Sequence, residues 1–427
     1  MNPFITKKRI VIIGAGFAGL NVAKILKQCL QYEIIIIDKL NHHLFQPLLY
    51  QVATAALSPA DIAIPVREIF RKYPHITTLM ATVVAVNKAE KKVYLENNQH
   101  VNFDYLIIAP GSRHCYFGKN HWEAFAPGLK TLQDAVSIRE RILAQFELAE
   151  RLEEKLERQR LLTFIIVGGG PTGVEMAGAI AEIAHYSLKN NYRHINLDNT
   201  KIYLIEGATQ LLSGYPKNLA SRAQRDLEKK GVVVKINTFV TNITNEGAYL
   251  GEDFIPAGNV IWAAGNEASP ILKTLEVELD KQGRVLIEKD LSILNYPDIF
   301  VLGDAACCKN NLGLSLPAIA PVAAQQGKYV GEILKKNIAK KERQDFHYVD
   351  RGMMATIGKY DAIVLSGPFK SVGFMAWLAW CLVHIYFLIG YRTKFFVFIQ
   401  WVFYFLRGAR NIRLIFKPLA LHDEENK

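Results

Sequence analysis

The chain has 427 residues, half of them hydrophobic, with 51 Lys and Arg against 40 Asp and Glu and a formal net charge of +11. That length supports two or three domains with cores of their own and excludes a small disulfide-held scaffold. The basic excess lies in an apolar region: residues 362–422 carry seven Lys or Arg and no Asp or Glu, so an anionic membrane surface is expected rather than nucleic acid.

The stretch MNPFITKKR runs directly into an apolar strand with no apolar leader or cleavage site, so export is not expected. In IVIIGAGFAGL (10–20) a short buried strand opens into G-x-G-x-x-G at Gly14, Gly16 and Gly19. The first glycine permits the tight turn, the second lets the backbone approach a pyrophosphate, and the third lets the helix pack against the strand. A second strand, EIIIID, ends in Asp38, nineteen residues past Gly19, where a carboxylate can accept from ribose hydroxyls. Ala15, Phe17 and Ala18 of the loop, Lys39 beside Asp38, and Val83 join the candidate cofactor contacts.

DYLIIAPGS (104–112) and GNVIWAAGN (258–266) are short apolar strands ending in turns at Gly111 and Gly265, where the chain crosses between domains. Between them, ERILAQFELAERLEEKLERQR (140–160) reads as one amphipathic, charge-laced helix with i,i+4 pairing on a solvated face. LLTFIIVGGGPTGVE (161–175) then repeats the first device, with Gly168, Gly169, Gly170 and Gly173. KIYLIE ends in Glu206, and the polar stretch 185–199 ahead of it reads as a longer helix plus loop. A carboxylate at Glu206 repels a 2′-phosphate and suits NADH. Two loops imply two dinucleotides, most sensibly a resident flavin and a nicotinamide that comes and goes.

YPDIFVLGDAA (296–306) is a further strand ending in Gly303 and Asp304. From here the chain resembles the two-dinucleotide-domain flavoprotein reductases over residues 8–345, and the resemblance implies that Asp304 binds the ribityl chain of FAD. The blocks NHHLFQPLLYQVATAALSPADIAIPVR (41–67) and LPAIAPVAAQQGKYV (316–330) resemble the type II NADH:quinone oxidoreductases, which are single-subunit and non-pumping. That resemblance implies quinone contacts at Gln46, Pro47, Pro321 and Gln325, with Pro321 standing where the family's usual residue is Gln. It also places the backbone of Ala323 and Ala324 against the flavin. Pro321 suits the first turn of a helix whose N-terminus would stabilise negative charge there. Glu175 lies where the family has a Glu near the nicotinamide, a candidate for binding and for relaying protons.

The five cysteines, Cys29, Cys115, Cys307, Cys308 and Cys381, form no C-x-x-C pair, which favours a reducing compartment and argues against zinc or iron–sulfur ligation. Cys115 and the adjacent Cys307 and Cys308 keep a sulfide:quinone oxidoreductase open as an alternative, alongside a non-catalytic NADH-sensing flavoprotein. His42 and His43 have no second cluster to complete a metal site, so no metal is expected. FMAWLAWCLVHIYFLIGY (374–391) and FFVFIQWVFYFL (395–406) are short for a bilayer-spanning helix, which needs about 20 apolar residues. With Trp377, Trp380, Trp401 and flanking cations they read as two helices lying in one leaflet, a spanning hairpin being the alternative.

The expected fold is therefore α/β: two Rossmann-like dinucleotide-binding domains plus a C-terminal membrane-binding helical region. The boundaries are 1–115 and 280–345 for FAD, 116–279 for NADH and 346–427 for the anchor. The expected setting is peripheral, on the cytoplasmic face of a bacterial inner membrane, with quinone and anionic lipid as partners and a homodimer compatible with the sequence.

Overall fold

The computed structural model describes residues 7–310, 312–407 and 412–416. It divides into two compact units: residues up to 44, 63–113 and 266–350 form the first, and 45–62, 114–265 and the described residues from 351 onward form the second.

In the first unit the strands Ile76–Met80, Tyr32–Asp38, Lys8–Ile13, Tyr105–Ile108 and Tyr296–Val301 lie parallel in that order, with Ser292–Ile293 antiparallel at one edge. Runs such as IIII suit strands covered on both faces, which is why the sheet is parallel. Ile13 pairs with Ile37 on one side and Ile108 on the other, so the loop after Lys8–Ile13 emerges where strand order reverses. A three-stranded antiparallel meander, Val83–Asn87, Lys92–Leu95 and His100–Asn102, stands beside it. The helices Phe17–Leu26 and Ala320–Lys335 meet closely, because a Cβ at Gly327 would lie 2.3 Å from the Ala18 carbonyl oxygen.

The second unit repeats the plan. Val232–Lys235, Lys201–Ile205, Thr163–Val167 and Asn259–Trp262 form a parallel sheet in that order, and Val167 pairs with both Ile205 and Trp262. A second antiparallel meander follows, Asn242–Thr244, Gly247–Leu250 and Asp253–Pro256. After residue 351 an antiparallel sheet, Met353–Gly358, Asp361–Ser366 and Phe369–Val372, packs on the helix Pro171–Glu182. The contact is close: a Cβ at Gly178 would lie 2.1 Å from the Ile357 carbonyl oxygen.

The helix expected over 140–160 is two helices, Leu132–Arg151 and Lys155–Leu161. Leu152 is extended, and the Glu154 side chain caps the second helix by accepting from the Leu156 and Glu157 amides. The charges also do more than pair along a solvated face. Glu150 accepts from the backbone amides of Arg193, His194 and Ile195, while Arg160 pairs with Glu157 in i,i+3 spacing.

The C-terminal helices are Phe374–Phe387 and Tyr391–Arg407, and among the described residues no helix is long and apolar enough to cross a membrane. The first buries Trp377, Trp380, Cys381 and His384 on one face and exposes Met375, Leu382 and Tyr386 on the other, by 64%, 62% and 72%. His384 stacks on Trp380, with ring centroids 3.9 Å apart, and donates from Nδ1 to the Trp380 carbonyl at 2.7 Å. Burial pulls its pKa down to about 4. A folded state that holds this histidine neutral binds fewer protons than the unfolded chain below the ordinary value of about 6.5. Its contribution is therefore fully present above about pH 6.5 and is lost as pH falls through about 4. Thermal unfolding followed from pH 7 to pH 4 is expected to show a falling melting temperature, with a shallower fall in His384→Leu.

Candidate active site

The two glycine loops have the same construction. Gly14 has φ +96°, and a Cβ there would lie 2.1 Å from the Ala109 carbonyl oxygen. Gly168 has φ +109° and would meet Ala263 at 2.7 Å. Gly19 and Gly173 would each drive a Cβ to about 2 Å from the carbonyl oxygen of the loop's first glycine, at 2.0 and 1.8 Å. Gly16 and Gly170 face open space, and each is the N-cap of its helix with no side-chain cap and no acid in the first turn. Uncapped amides at the positive end of a helix, beside a backbone surface with no side chain over it, are suited to an anion such as a pyrophosphate.

A carboxylate clamps each loop in the same way. Asp38 accepts from the amides of Ala15 at 2.7 Å and Leu40 at 2.8 Å. Glu206 accepts from Gly169 at 2.5 Å and Ala208 at 2.7 Å. Each carboxylate thus fixes the loop residue after the first glycine and the residue two places after itself, leaving its remaining lone pairs for a ribose.

In the first unit three motifs distant in sequence converge. A Cβ on Gly303, at φ +66°, would lie 3.3 Å from the Ala323 Cβ and 3.8 Å from the Ala18 Cβ. Asp304 accepts from the Ser112 hydroxyl at 2.5 Å, and the Gly303 amide donates to the Gln326 side chain at 2.6 Å. Ala323 is buried and Ala324 half-buried in the helix Ala320–Lys335, which has Pro321, exposed, in its first turn. Gly111 has φ +72° with open space about it, Val83 is half-buried on the meander, and Lys39 is exposed. Ala15, Asp38, Asn41, Arg67 and Met80 line a cleft beside the first loop. His43 donates from Nδ1 to the Ala15 carbonyl at 2.8 Å and meets the Phe17 ring edge-on. Burial lowers its pKa to about 4, so it is a neutral prop for the loop. These residues fit a flavin dinucleotide: an anion-binding turn, a ribose carboxylate, and a second carboxylate whose hydroxyl partner marks it as an acceptor.

In the second unit Glu175 lies in the second turn of Pro171–Glu182, and its carboxyl is held by the Thr356 backbone amide. Burial raises its pKa to about 8, well above a solvated carboxylate. Gly265, at φ +73°, packs beside Phe117, whose ring meets Trp262. Gln46 is exposed and reaches the Lys130 carbonyl at 3.4 Å, and Pro47 follows it in the turn Gln46–Leu48. In the first unit the Gln325 amide is engaged at both ends, its nitrogen donating to the Val349 carbonyl at 2.9 Å and its oxygen accepting from the Val349 amide at 3.0 Å. A quinone contact at Gln325 would have to displace that pair.

Cys307 and Cys308 are buried free thiols, and burial pushes the Cys308 thiol up. Among the described residues no group of three His, Cys, Asp or Glu side chains could hold a metal ion. Sequence reasoning missed Gln326, Ser112 and His43 as supports of the cofactor site. Gln326 was readable only as one of a glutamine pair, and its inward face shows only once the helix is docked.

Two such loops in one chain are the paired nucleotide-binding architecture of a flavoprotein-type reductase. A family model described as pyridine nucleotide-disulphide oxidoreductase matches residues 8–327. The type II NADH:quinone oxidoreductase Ndh of Mycobacterium tuberculosis is 40% identical over 419 residues, covering 95% of this chain and 89% of that protein. The internal alternative NAD(P)H-ubiquinone oxidoreductase A1 of Arabidopsis thaliana is 28% identical over 437 residues, covering 94% of this chain and 85% of that protein. The structure of NDH2 from Plasmodium falciparum in complex with NADH shares the fold at a TM-score of 0.87 and 20% identity, over 96% of this chain and 100% of that one. The chain belongs to the pyridine nucleotide-disulphide oxidoreductase family and, within it, to the type II NADH:quinone oxidoreductases.

Proposed function

We propose that the protein is a membrane-associated, FAD-dependent enzyme that catalyses NADH + H⁺ + quinone → NAD⁺ + quinol without pumping protons. The observation that carries this reading is the duplicated, uncapped glycine loop with its clamping carboxylate, together with the convergence of Ala18, Gly303 and Ala323 beside the first copy. FAD, when bound, would accept a hydride from NADH and deliver two electrons to the quinone.

The protein's own part is binding, orientation and proton handling. Gly14, Gly16, Gly19 and Asp38 would hold the FAD pyrophosphate and ribose, Asp304 the ribityl chain, and Ala323 and Ala324 the flavin edge. Gly168, Gly170, Gly173 and Glu206 would hold NADH, and the Glu206 carboxylate would repel the 2′-phosphate of NADPH. Glu175, protonated at neutral pH by its raised pKa, would supply a proton as quinol forms. Quinone contacts are assigned to Gln46 and Pro47 of the second unit and to Pro321 and Gln325 of the first.

Membrane attachment is supported by the apolar face of the C-terminal helices. Phe395, Phe398 and Phe403 are exposed on the last helix as Met375, Leu382 and Tyr386 are on the one before, with the cations Arg392 and Lys394 on the last helix and Lys370 on the strand ahead of them. An exposed apolar face with cations and aromatics matches an interfacial helix on anionic lipid. We assign the protein to the cytoplasmic face of a bacterial inner membrane, with dimerisation compatible. Flotation with phosphatidylglycerol vesicles is expected to carry the protein at low salt. Replacing Leu382 and Tyr386 by Glu should reduce the bound fraction by at least about tenfold, two charges facing acyl chains costing several kcal/mol.

Steady-state assays with NADH and a short-chain quinone test the reaction. Quinone-dependent NADH oxidation supports it, whereas turnover with sulfide that is lost in Cys307→Ser would favour the cysteine-dependent alternative. Tight NADH binding without turnover would favour a sensor.

A further inference from the structure

The helix Pro171–Glu182 carries two carboxyls, Glu175 and Glu182, seven residues apart and hence two turns, or about 10.5 Å, along one face. Ala179 lies between them, and all three line a single cavity whose other walls include Tyr50, Thr356, Trp380 and Tyr404. A methyl group at 179 keeps the space between the carboxyls open. The cavity is large enough for a few water molecules, and its largely apolar wall carries polar groups of Tyr50, Glu175, Glu182, Thr356 and Tyr404. The Tyr50 hydroxyl and the Thr356 Oγ1 are 2.9 Å apart, and Tyr404 donates its hydroxyl hydrogen to Glu182 Oε2 at 2.7 Å. Trp380 is 2% exposed and its indole N–H is buried with no partner, so a water in this cavity would find a donor there.

The two ends of the cavity differ. Around Glu175 burial dominates, Thr356 supplies a backbone amide, and Tyr215 is the ionisable neighbour. Around Glu182, itself only 5% exposed, the setting is charged, and its way to water is through Lys230. Its Oε1 accepts from the Lys359 amide and lies 3.7 Å from Lys230 Nζ, whose side chain is 19% exposed and also faces Asp361.

We propose that Glu182 and the cavity are the route by which Glu175 regains its proton. This rests on the reading of Glu175 as proton donor given above. A hydride brings two electrons and one proton, and quinone needs two electrons and two protons to become quinol, so each turnover takes one proton from the medium. As that proton leaves Glu175, its O–H bond breaks and a quinone O–H bond forms. The Glu182 carboxylate takes a proton from solvent on the Lys230 side and passes it to a cavity water as that water gives one of its own to the Glu175 carboxylate, so that Glu182 and the water end as they began and one proton has moved from solvent to Glu175. No oxidation state changes along the relay.

The competing explanation is that Glu182 only ties the terminal helix and the Met353–Gly358 sheet to Pro171–Glu182. Two variants of the flavin-loaded, full-length protein separate them: Glu182→Gln, which removes the carboxyl, and Ala179→Leu, which fills the cavity and leaves both carboxyls in place. Flavin absorbance is followed through NADH addition and then successive quinone turnovers, and the protonated-carboxyl C=O stretch is followed by infrared difference spectroscopy. The relay predicts wild-type bleaching by NADH and a normal first turnover with quinone in both variants. Later turnovers should be slower by at least about tenfold and recover with added imidazole as a small proton donor. The carboxyl band should vanish at the first turnover and return slowly. Later turnovers at the wild-type rate, or a carboxyl band that returns promptly in both variants, overturn the relay. If either variant is misfolded by circular dichroism, Tyr404→Phe takes its place with the same expectation. Wild-type protein that NADH does not bleach, or that quinone does not reoxidise, instead defeats the underlying functional reading.

Discussion

Gly14→Ala is expected to yield a protein that retains little flavin. The added Cβ would lie 2.1 Å from the Ala109 carbonyl oxygen and 2.8 Å from its carbon, and both are backbone atoms that no rotamer change can move. They follow the strand Tyr105–Ile108, whose register against Lys8–Ile13 pairs Ile108 with Ile13. The residue also sits at φ +96°, where an L side chain adds about 1–2 kcal/mol of strain. Relief requires the loop to lift, which breaks the Ala15 amide bond to Asp38 and misaims the first amides of the helix. The fall in flavin-to-protein absorbance ratio should be tenfold or more, about 1.4 kcal/mol of binding or above. Gly16→Ala makes the sharper comparison. Its Cβ would meet nothing within 4 Å at an ordinary φ of −72°, so melting of the flavin-free protein should be unchanged while flavin retention still falls. Full flavin in Gly14→Ala, or a destabilised flavin-free Gly16→Ala, would contradict the construction assigned to this loop.

The second large effect is at Glu175. Its carboxyl, raised to about 8 by burial, is protonated at neutral pH, as the proton donor proposed above has to be. Quinone reduction by the wild type should therefore decline as pH rises through about 8, while bleaching by NADH, which needs no proton from the protein, should not. Glu175→Gln keeps the shape of the neutral group and removes the proton, so quinone reduction should fall by about 10²–10⁴ and lose that pH dependence. A carboxyl whose pKa is raised in the fold binds more protons there than in the unfolded chain between its ordinary value near 4.3 and about 8, so its contribution to stability is fully present below about pH 4.3 and is lost as pH rises through about 8. Glu175→Gln should flatten the decline in melting temperature between about pH 4.3 and about pH 8. An unchanged rate and pH profile would remove Glu175 from the chemistry.

The loops were legible because their glycines answer to local rules: a positive φ at Gly14 and Gly168, close approach at Gly19 and Gly173, an uncapped helix start at Gly16 and Gly170. Asp38 and Glu206 were legible from strand ends, although their amide clamps were not. The helix beginning at Ala320 followed from Pro321, and the short C-terminal helices from run length and aromatic placement. What escaped depends on docking. Nothing in the residue pattern of 45–62 says that this stretch leaves the first unit to join the second, since it is set by contacts such as Gln51 with Trp401 and Tyr50 with Thr356. The break after Arg151 escaped because Glu154 and Glu150 read as ordinary members of a charged face, and their amide partners appear only in the fold. Glu182 escaped for a similar reason: its i,i+7 relation to Glu175 is visible in the sequence, but the cavity between them is made by segments far along the chain.

Anaerobic flavin absorbance of the detergent-solubilised protein is the most direct test of the central assignment, flavin in the first loop and NADH in the second. The account predicts that NADH bleaches the flavin band, that a short-chain quinone restores it, and that Gly173→Ala, whose Cβ would lie 1.8 Å from the Gly168 carbonyl oxygen, retains its flavin but no longer responds to NADH. A flavin that ignores NADH and bleaches with sulfide, or a Gly173→Ala protein that responds as the wild type does, would contradict it.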